Sequence, residues 1–267
     1  MKEPVPMKLF FSEYKSDYEH YIFPYSIWAV PESHETPADL FSRGFLPNSP
    51  NLDRFYLCRN IRVVLDKYQP SSENRRILRK GGEIAIKLVP RSDFDFTRQW
   101  REFCKNYADA KFGQDVMSYE RLDRLMSSPI ISHLVIFTDK TSGKEIGLVM
   151  LYLQKPAMAF YYYAFYDLQF PADHLGMYMM TVVVGLMKEY GIENIYLGSC
   201  YSRSALYKTQ FPGMQFFNGN TWSENITELK YLIDRENGVI TRHLLENEEY
   251  RQLYYPDGLV GSNFLVG

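Results

Sequence analysis

The sequence predicts an α+β fold, in which a mixed and mainly antiparallel sheet is flanked by helices and preceded by a loop-rich N-terminal lobe. Residues 131–222 carry the pattern of three apolar strands, a long helix, a strand, a short helix and a last strand. Prolines interrupt the first fifty residues, and proline cannot donate a backbone hydrogen bond to a helix or sheet. We therefore expect an N-terminal lobe at residues 1–92 and a second lobe at residues 93–267.

The end of the N-terminal lobe contains the first regular elements that the sequence predicts. Residues 60–68 and 84–89 are rich in β-branched and aliphatic side chains, which is typical of strands. Residues 70–80 between them predict a short helix, because serine, glutamate and asparagine at its start are helix-opening residues.

Two helices are predicted next, at residues 93–112 and 118–128. In the first, Phe96, Trp100, Phe103 and Tyr107 recur at spacings of four, three and four residues, so they form one apolar face. The second begins at Ser118, a residue type that favours helix starts.

An antiparallel meander of three strands follows. Residues 133–139 and 146–154 predict two strands joined by a hairpin turn at residues 140–145, which contains a Ser-Gly pair. The third strand, at residues 159–167, is strongly aromatic and ends at Asp167. Because side chains alternate along a strand, we expect Tyr161, Tyr163 and Phe165 on one side and Tyr162, Ala164 and Tyr166 on the other.

A long helix, a strand and a short helix complete the predicted lobe. Asp173 is suited to cap the helix, which ends at the Tyr190-Gly191 pair. Residues 195–199 predict the strand and residues 206–211 the short helix. The sequence assigns no role to the tail after Asn225.

Composition narrows the classes of function. The formal net charge is −2, whereas a general nucleic-acid binder is usually basic, so any such role must rest on a local basic patch. The three cysteines are far apart and form no C-x-x-C pair, which argues against a disulfide framework and a cysteine-rich zinc site. The same cysteine pattern leads us to expect no metal and a cytoplasmic location. We expect no membrane partner, because the apolar run at residues 177–187 is too short to span a bilayer.

The predicted order of elements resembles the GCN5-related N-acetyltransferase fold. Members of that superfamily that use acyl-CoA bind its pyrophosphate with a Gln/Arg-x-x-Gly-x-Gly/Ala loop at the start of the central helix, where backbone N–H groups attract an anion. The equivalent stretch here, residues 169–180, has Gly176 as its one glycine and an acid, Asp173. An anionic cofactor would meet a like charge, so acyl-CoA is not the expected donor.

A closer resemblance is to the arginyl/leucyl-tRNA–protein transferases. LFSRGFLPNS at residues 40–49 is similar to the family's "RGFR" turn, FYDLQFPADHLGMYMM at 165–180 to its Tyr-Asp and "S-L-G-x-Y" segments, and IYLGSCYSRSALYKTQF at 195–211 to "Y-Y-L-G-Y…M-x-Y-K-x-x-F". Trp222 fits the closing tryptophan. The segment at 61–80 matches the family's "RV…F-x-P-S-x-x-x-R-R-x-x-R/K" pattern at Arg62, Val63, Tyr68, Pro70, Ser71, Arg75, Arg76, Arg79 and Lys80. The chain is identified as a divergent member, since only Cys58 stands where the family carries a cysteine cluster.

The resemblance implies aminoacyl transfer. An amino acid, Arg or Leu, would move from charged tRNA to the N-terminal α-amine of an acceptor protein, which would mark that protein for degradation. The implied partners are aminoacyl-tRNA, which serves as co-substrate without a separate cofactor, and a protein or peptide N-terminus.

The same resemblance supplies candidate site residues, each with an alternative interpretation. The catalytic candidates are Asp167, Tyr166 and Tyr207, with Asp167 holding the incoming ammonium or accepting its proton. The candidates for binding substrate or tRNA are Arg75, Arg76, Arg79, Lys80, Tyr163, Tyr196 and Lys208. The alternatives are a strand-end aspartate, a solvated basic helix face, a core of aromatic side chains, and a buried tyrosine beside a surface lysine.

Two other functions stay open on the sequence alone. One is an acyltransferase of the wider superfamily that uses another acyl donor. The other is a non-catalytic relative that binds a protein terminus, which the missing cysteines and the acidic balance favour.

Overall fold

The computed structural model describes residues 7–114, 116–170 and 174–258. These residues form two compact units that are each discontinuous in sequence. Unit 1 falls within Met1–Ile61, Ser199–Thr209 and Met214–Gly267, and unit 2 within Arg62–Gly198 and Gln210–Gly213. The lobes expected at residues 1–92 and 93–267 follow a different division and stay a prediction.

The elements of the first third of the chain are mostly short. In order they are β1 (Lys8–Glu13), β2 (Tyr25–Val30), α1 (Pro37–Ser42), β3 (Phe45–Pro47), β4 (Phe55–Leu57), β5 (Asn60–Val64), α2 (Ser72–Lys80) and β6 (Ile84–Pro90). Ser71 begins α2, because its hydroxyl accepts a hydrogen bond from the backbone N–H of Asn74 at 3.1 Å. The helix and strands predicted between residues 60 and 89 are therefore present, with the first strand ending earlier than predicted.

The remaining elements are longer. In order they are α3 (Arg98–Phe112), α4 (Tyr119–Met126), β7 (His133–Asp139), β8 (Glu145–Gln154), β9 (Met158–Tyr166), α5 (Leu175–Glu189), β10 (Asn194–Ser199), β11 (Met214–Phe217), β12 (Trp222–Ser223), α6 (Ile226–Arg235) and α7 (Glu248–Tyr254). The segment Arg203–Thr209 is a 3₁₀ helix, which replaces the short helix predicted at residues 206–211. No helix in the described ranges combines the length and the apolar character that crossing a membrane requires.

The start of α3 differs from the prediction. It begins at Arg98 because the hydroxyl of Thr97 accepts a hydrogen bond from the backbone N–H of Trp100 at 3.4 Å and so caps the first turn. Trp100 and Tyr107 are buried, as the apolar face predicted, whereas Phe96 precedes the helix. The predicted cap of α5, Asp173, lies outside the described residues.

Unit 1 contains an antiparallel sheet in the order β1-β2-β4-β3, together with the β11–β12 hairpin. Phe41 of α1 packs edge-on against Phe55 of β4, with ring centroids 6.2 Å apart. The indole N–H of Trp222 donates to the backbone carbonyl of Ser42 at 2.7 Å, which places Trp222 beside α1.

A buried carboxylate organises the C-terminal part of unit 1. Glu228 on α6 accepts hydrogen bonds from the Asn218 amide at 2.8 Å, the Ser223 hydroxyl at 2.6 Å and the Tyr250 hydroxyl at 2.8 Å. Because a buried acid needs such donors, these contacts tie α7 and the β11–β12 hairpin to α6. Helices α6 and α7, which lie in the tail to which the sequence assigned no role, thus contribute buried side chains to unit 1.

Unit 2 is built on strands in the order β5-β10-β9-β8-β7-β6. The ladder from β6 to β9 is antiparallel, and β10 runs parallel to β9. Helix α5 forms the crossover between these two parallel strands. The meander, crossover helix and parallel strand confirm the predicted α+β class and its acetyltransferase-like order.

Candidate active site

The candidate site begins where two parallel strands of unit 2 separate. Strands β9 and β10 pair at only three positions, of which the last is Tyr196 opposite Phe160. Both strands continue past this pair, β9 as far as Tyr166 and β10 as far as Ser199. Within the described residues, the two strands therefore form no further pair beyond this point.

A β-bulge lies at the same place on the other edge of β9. Met150 pairs with Tyr163 and Leu151 with Tyr161, so Tyr162 has no opposite residue on β8. The extra residue interrupts the regular alternation that the sequence predicted, because a bulge redirects the side chains around it. Tyr162 stands two residues beyond the last β9–β10 pair.

The Tyr162 phenol stays protonated at neutral pH. Its ring contacts Phe160, with centroids 5.3 Å apart, and Tyr163 at 4.6 Å. Burial raises the pKa of Tyr162 to about 12, with a further rise from Tyr163 that Arg121 opposes. A neutral phenol beside the open edge can donate a hydrogen bond to a ligand. Sequence reasoning did not select Tyr162, and only an unusual run of three tyrosines marked the position.

Tyr163 and Tyr166 pack in different surroundings. Tyr163 stacks on Phe165 with ring centroids 5.9 Å apart. The Tyr166 ring contacts Tyr107 of α3, with centroids 4.7 Å apart, and lies so close to Gly176 that a Cβ atom there would be 2.8 Å from it. The glycine at the start of α5 therefore makes room for an aromatic ring.

The Asp167 carboxylate at the end of β9 is already engaged. One oxygen receives a hydrogen bond and ion pair from Lys144 Nζ at 2.7 Å, and the other accepts from the backbone N–H of Gln169 at 2.9 Å. The Lys144 ammonium is the main cause that lowers the pKa of Asp167, while partial burial opposes it. A carboxylate with a lowered pKa is a weaker proton acceptor.

The four cations predicted to bind tRNA are all exposed on α2. Arg76 is paired with Glu73 at 2.5 Å, and Arg75 donates to the backbone carbonyl of Pro70 at 2.5 Å. Within the described part of the chain, neither Arg79 nor Lys80 forms an ion pair. These two residues are thus the cations of α2 that are available to an anion.

The C-terminal half of α2 lies against the start of α5 within unit 2. Arg76 and Lys80 line a concavity together with His174 and Leu175 of the α5 start. The Tyr178 hydroxyl donates to the backbone carbonyl of Gly81 at 3.1 Å and fixes the two helices to each other. Of the basic side chains in this concavity, Arg76 is already paired with Glu73, whereas Lys80 has no ion pair in the described residues.

The remaining predicted residues lie in contrasting environments. Tyr196 is only 2% exposed, and its hydroxyl bonds to Arg62, so its ring offers almost no surface to a substrate. In unit 1, Tyr207 is 42% exposed, whereas Lys208 beside it is half-buried. The Lys208 ammonium lies 5.9 Å from the centre of the Tyr207 ring. The predicted arrangement of a buried tyrosine beside a surface lysine is therefore reversed.

The cysteines and acids in the described part of the chain assemble no metal centre. Cys58, Cys104 and Cys200 are all free and buried, and burial raises the pKa of each thiol. Among residues 7–114, 116–170 and 174–258, no group of three or more histidine, cysteine or acidic side chains is placed to hold a metal ion.

Sequence comparison finds relatives that are named leucyltransferases, although no family model matches the chain. The chain is 23% identical over 185 residues to an aspartate/glutamate leucyltransferase from Chromobacterium violaceum, covering 67% of this chain and 74% of the relative. It is 27% identical over 179 residues to the protein of the same name from Thiobacillus denitrificans, covering 65% of this chain and 72% of the relative. The predicted resemblance to aminoacyl-tRNA–protein transferases is thereby confirmed, and the chain is a divergent homologue of these proteins.

Solved structures give weaker likenesses. L-PGS from Bacillus licheniformis is 12% identical with a TM-score of 0.41, over 54% of this chain and 46% of that one. A GCN5-related N-acetyltransferase from Sphaerobacter thermophilus is 13% identical with a TM-score of 0.36, over 60% of this chain and 45% of that one. Likenesses of this size support no conclusion about substrate.

Proposed function

We propose that this divergent homologue of the aspartate/glutamate leucyltransferases is an aminoacyl-tRNA–protein transferase. It moves leucine from charged tRNA to the N-terminal α-amine of proteins that begin with aspartate or glutamate. The observation that carries the proposal is the separation of β9 and β10 after the Tyr196–Phe160 pair. An open backbone edge in the middle of a sheet can align an ester carbonyl with an attacking amine.

The reaction needs a neutral amine and a stabilised oxyanion. The amine nitrogen attacks the ester carbonyl, a C–N bond forms, the ester C–O bond breaks, and the tRNA 3′ oxygen leaves with a proton that the amine has lost. Backbone N–H groups on the open edge and the protonated phenol of Tyr162 are suited to stabilise the negative charge that develops on the carbonyl oxygen.

The basic surface of α2 is the proposed contact for the tRNA. Arg79 and Lys80 point to solvent without an ion pair in the described residues, and Lys80 shares the concavity at the α5 start with Arg76 and His174. Exposed cations of this kind are suited to neutralise phosphate groups of the acceptor end. A local patch of this kind is what a chain with a net charge of −2 requires to bind tRNA.

The packing of Tyr166 supports a donor other than acyl-CoA. In acyl-CoA enzymes, glycines at the start of the central helix let a pyrophosphate approach the backbone. Here the space beside Gly176 is filled by the Tyr166 ring. We therefore propose that aminoacyl-tRNA supplies the acyl group and that Tyr166 has a packing role.

A transfer assay tests the proposal. Purified protein is incubated with leucyl-tRNA or arginyl-tRNA and with peptides that begin with Asp, Glu, Arg or Lys, and transferred label is counted. We expect leucine to reach the Asp and Glu peptides and arginine to reach none. Transfer of arginine would show that leucine is not the amino acid specifically transferred. Transfer to the Arg or Lys peptides would show that the acceptors are not restricted to Asp and Glu.

A thermal melt serves as the control for folding and donor. The protein should show one cooperative transition that acetyl-CoA leaves unmoved, because only a bound ligand raises the melting temperature. Folded protein that transfers nothing in any pairing would overturn the proposal in favour of a non-catalytic relative. A shift with acetyl-CoA would favour an acyl-CoA enzyme.

A further inference from the structure

We propose that Lys208 recognises the side-chain carboxylate of the acceptor's first residue and so selects aspartate and glutamate. The inference rests on the proposed transferase function and assigns the residue that reads the acceptor. It concerns a side chain of unit 1 whose surroundings differ from those of every cation on α2.

Among the described residues, one hydrogen bond holds the Lys208 ammonium. It lies in the 3₁₀ helix Arg203–Thr209, and its Nζ atom donates to the backbone carbonyl of Ser199 at 2.9 Å. Ser199 is the last residue of β10, the strand that leaves β9 three residues earlier. The ammonium group is therefore tied to the backbone of the last residue of β10.

The neighbours of Lys208 leave its charge without a counterion. The Cys58 and Cys200 thiols interact electrostatically with the ammonium, and burial raises the pKa of both thiols, to about 12 for Cys58, so both are neutral. No carboxylate of the described residues forms an ion pair with Lys208. Burial accordingly lowers the pKa of Lys208 from its usual value.

The neighbouring cation, Arg59, shows the contrasting case. Its guanidinium is paired with both carboxylate oxygens of Glu236, at 2.6 and 3.4 Å, and packs over the Tyr201 ring at 4.7 Å. The described residues of unit 1 thus supply a counterion for Arg59 and none for Lys208. An ammonium has three N–H donors, and Ser199 uses one of those on Lys208.

A carboxylate fits this position better than a nucleic-acid phosphate. A compact and partly desolvated ammonium gains most from a single anion that is itself removed from water. Backbone phosphates of tRNA are better matched by the exposed cluster on α2, where arginine can form two parallel hydrogen bonds. An acceptor that begins with asparagine would leave the Lys208 charge unpaired, so the site should reject it.

The test compares two acceptors that differ only in charge. The ratio of kcat/KM for an Asp peptide over the matching Asn peptide is measured with wild-type protein, Lys208→Met and Lys208→Arg. We expect wild type to prefer Asp by about 10- to 100-fold, because a hydrogen bond to a charged group is worth about 1.5–3 kcal/mol. The ratio should fall to about 1 in Lys208→Met and recover in part in Lys208→Arg.

Two controls separate this role from others. The KM for charged tRNA should stay unchanged in Lys208→Met, and the melting temperature should be equal or higher, because methionine removes a partly buried charge at similar volume. An unchanged Asp/Asn ratio would overturn the proposal. A raised KM for tRNA with an unchanged ratio would assign Lys208 to tRNA instead.

A binding measurement distinguishes failure of this inference from failure of the transferase function. Calorimetric titration of the same two peptides needs no transfer step. If wild-type protein transfers nothing but binds the Asp peptide more tightly than the Asn peptide, and Lys208→Met abolishes the difference, the recognition role stands without the reaction. Equal binding of the two peptides by the wild-type protein would contradict the recognition role of Lys208.

Discussion

Asp167 shows how the contacts of one residue decide between two chemical roles. A catalytic base must present a free carboxylate oxygen to the amine, with a pKa close to the working pH. Here both oxygens already have partners, and the Lys144 ammonium lowers the pKa of Asp167. These contacts favour a positioning role, in which Asp167 fixes the chain that leaves β9 for α5.

Substitution of each partner separates the two roles. Asp167→Asn and Lys144→Met should each lower kcat/KM by about 2- to 10-fold, the worth of one hydrogen bond of about 0.5–1.5 kcal/mol. Loss of a general base would instead cost about 100- to 10,000-fold in Asp167→Asn alone. The pH–rate profile provides the second readout. Lys144→Met removes the main cause of the lowered pKa, so a base role predicts that its acid limb moves to higher pH, whereas a positioning role predicts no movement.

At the level of single elements, α5 offers a matched pair of glycines. A Cβ atom at Gly176 would lie 2.8 Å from the Tyr166 ring, while one at Gly185 on the same helix would meet nothing within 4 Å. Gly185→Ala should therefore raise the free energy of unfolding by about 0.5–1 kcal/mol, because alanine is the better helix former. Gly176→Ala should lower it by about 1–3 kcal/mol through overpacking.

Chemical denaturation measures both changes, and a double variant tests their cause. Tyr166→Ala removes the ring that blocks the space, so the alanine at position 176 should cost less in that background than in wild type. Equal stability of Gly176→Ala and wild type would show that the Tyr166 ring does not rest against the helix.

Elements with a strong local pattern were the ones that the sequence predicted well. The meander and α5 follow from hydrophobic runs bounded by turn residues, and these signals are local. The start of α3 was wrong because a threonine cap outweighed the apolar Phe96 further upstream. The bulge at Tyr162 was not foreseen, because it depends on the register between β8 and β9, which a run of aromatic residues does not encode.

Across the whole molecule, burial and ion pairing determine which candidate site residues are available to a ligand, and the type of residue alone does not. Tyr196 and Tyr207 are the same side chain in a shared family motif, yet one is buried and the other largely exposed. Arg76 and Arg79 are similarly alike, and only the first is neutralised, by Glu73. Such differences arise from contacts between distant segments, or from side-chain pairing. The sequence could therefore identify these residues as candidates, but it could not predict which of them are exposed and unpaired.

The charge of the whole chain makes a quantitative prediction about tRNA binding. With a net charge of −2, affinity must come from local cations, so the salt dependence of binding should report few contacts. Arg79→Ala/Lys80→Ala removes the two cations of α2 that have no ion pair in the described residues. Lys87→Ala/Lys230→Ala removes two exposed lysines elsewhere, and both double variants carry the same net charge of −4, from −2 − 2.

Affinity for charged tRNA is measured by filter binding from about 50 to 200 mM salt, the range in which counterion release is readily resolved. The slope of log K against log salt should be shallower by about 1.4–1.8 for Arg79→Ala/Lys80→Ala, since each phosphate contact contributes about 0.7–0.9. It should be unchanged for Lys87→Ala/Lys230→Ala. Equal slopes in the two double variants would mean that tRNA responds to the overall charge of the protein and that α2 makes no specific phosphate contact.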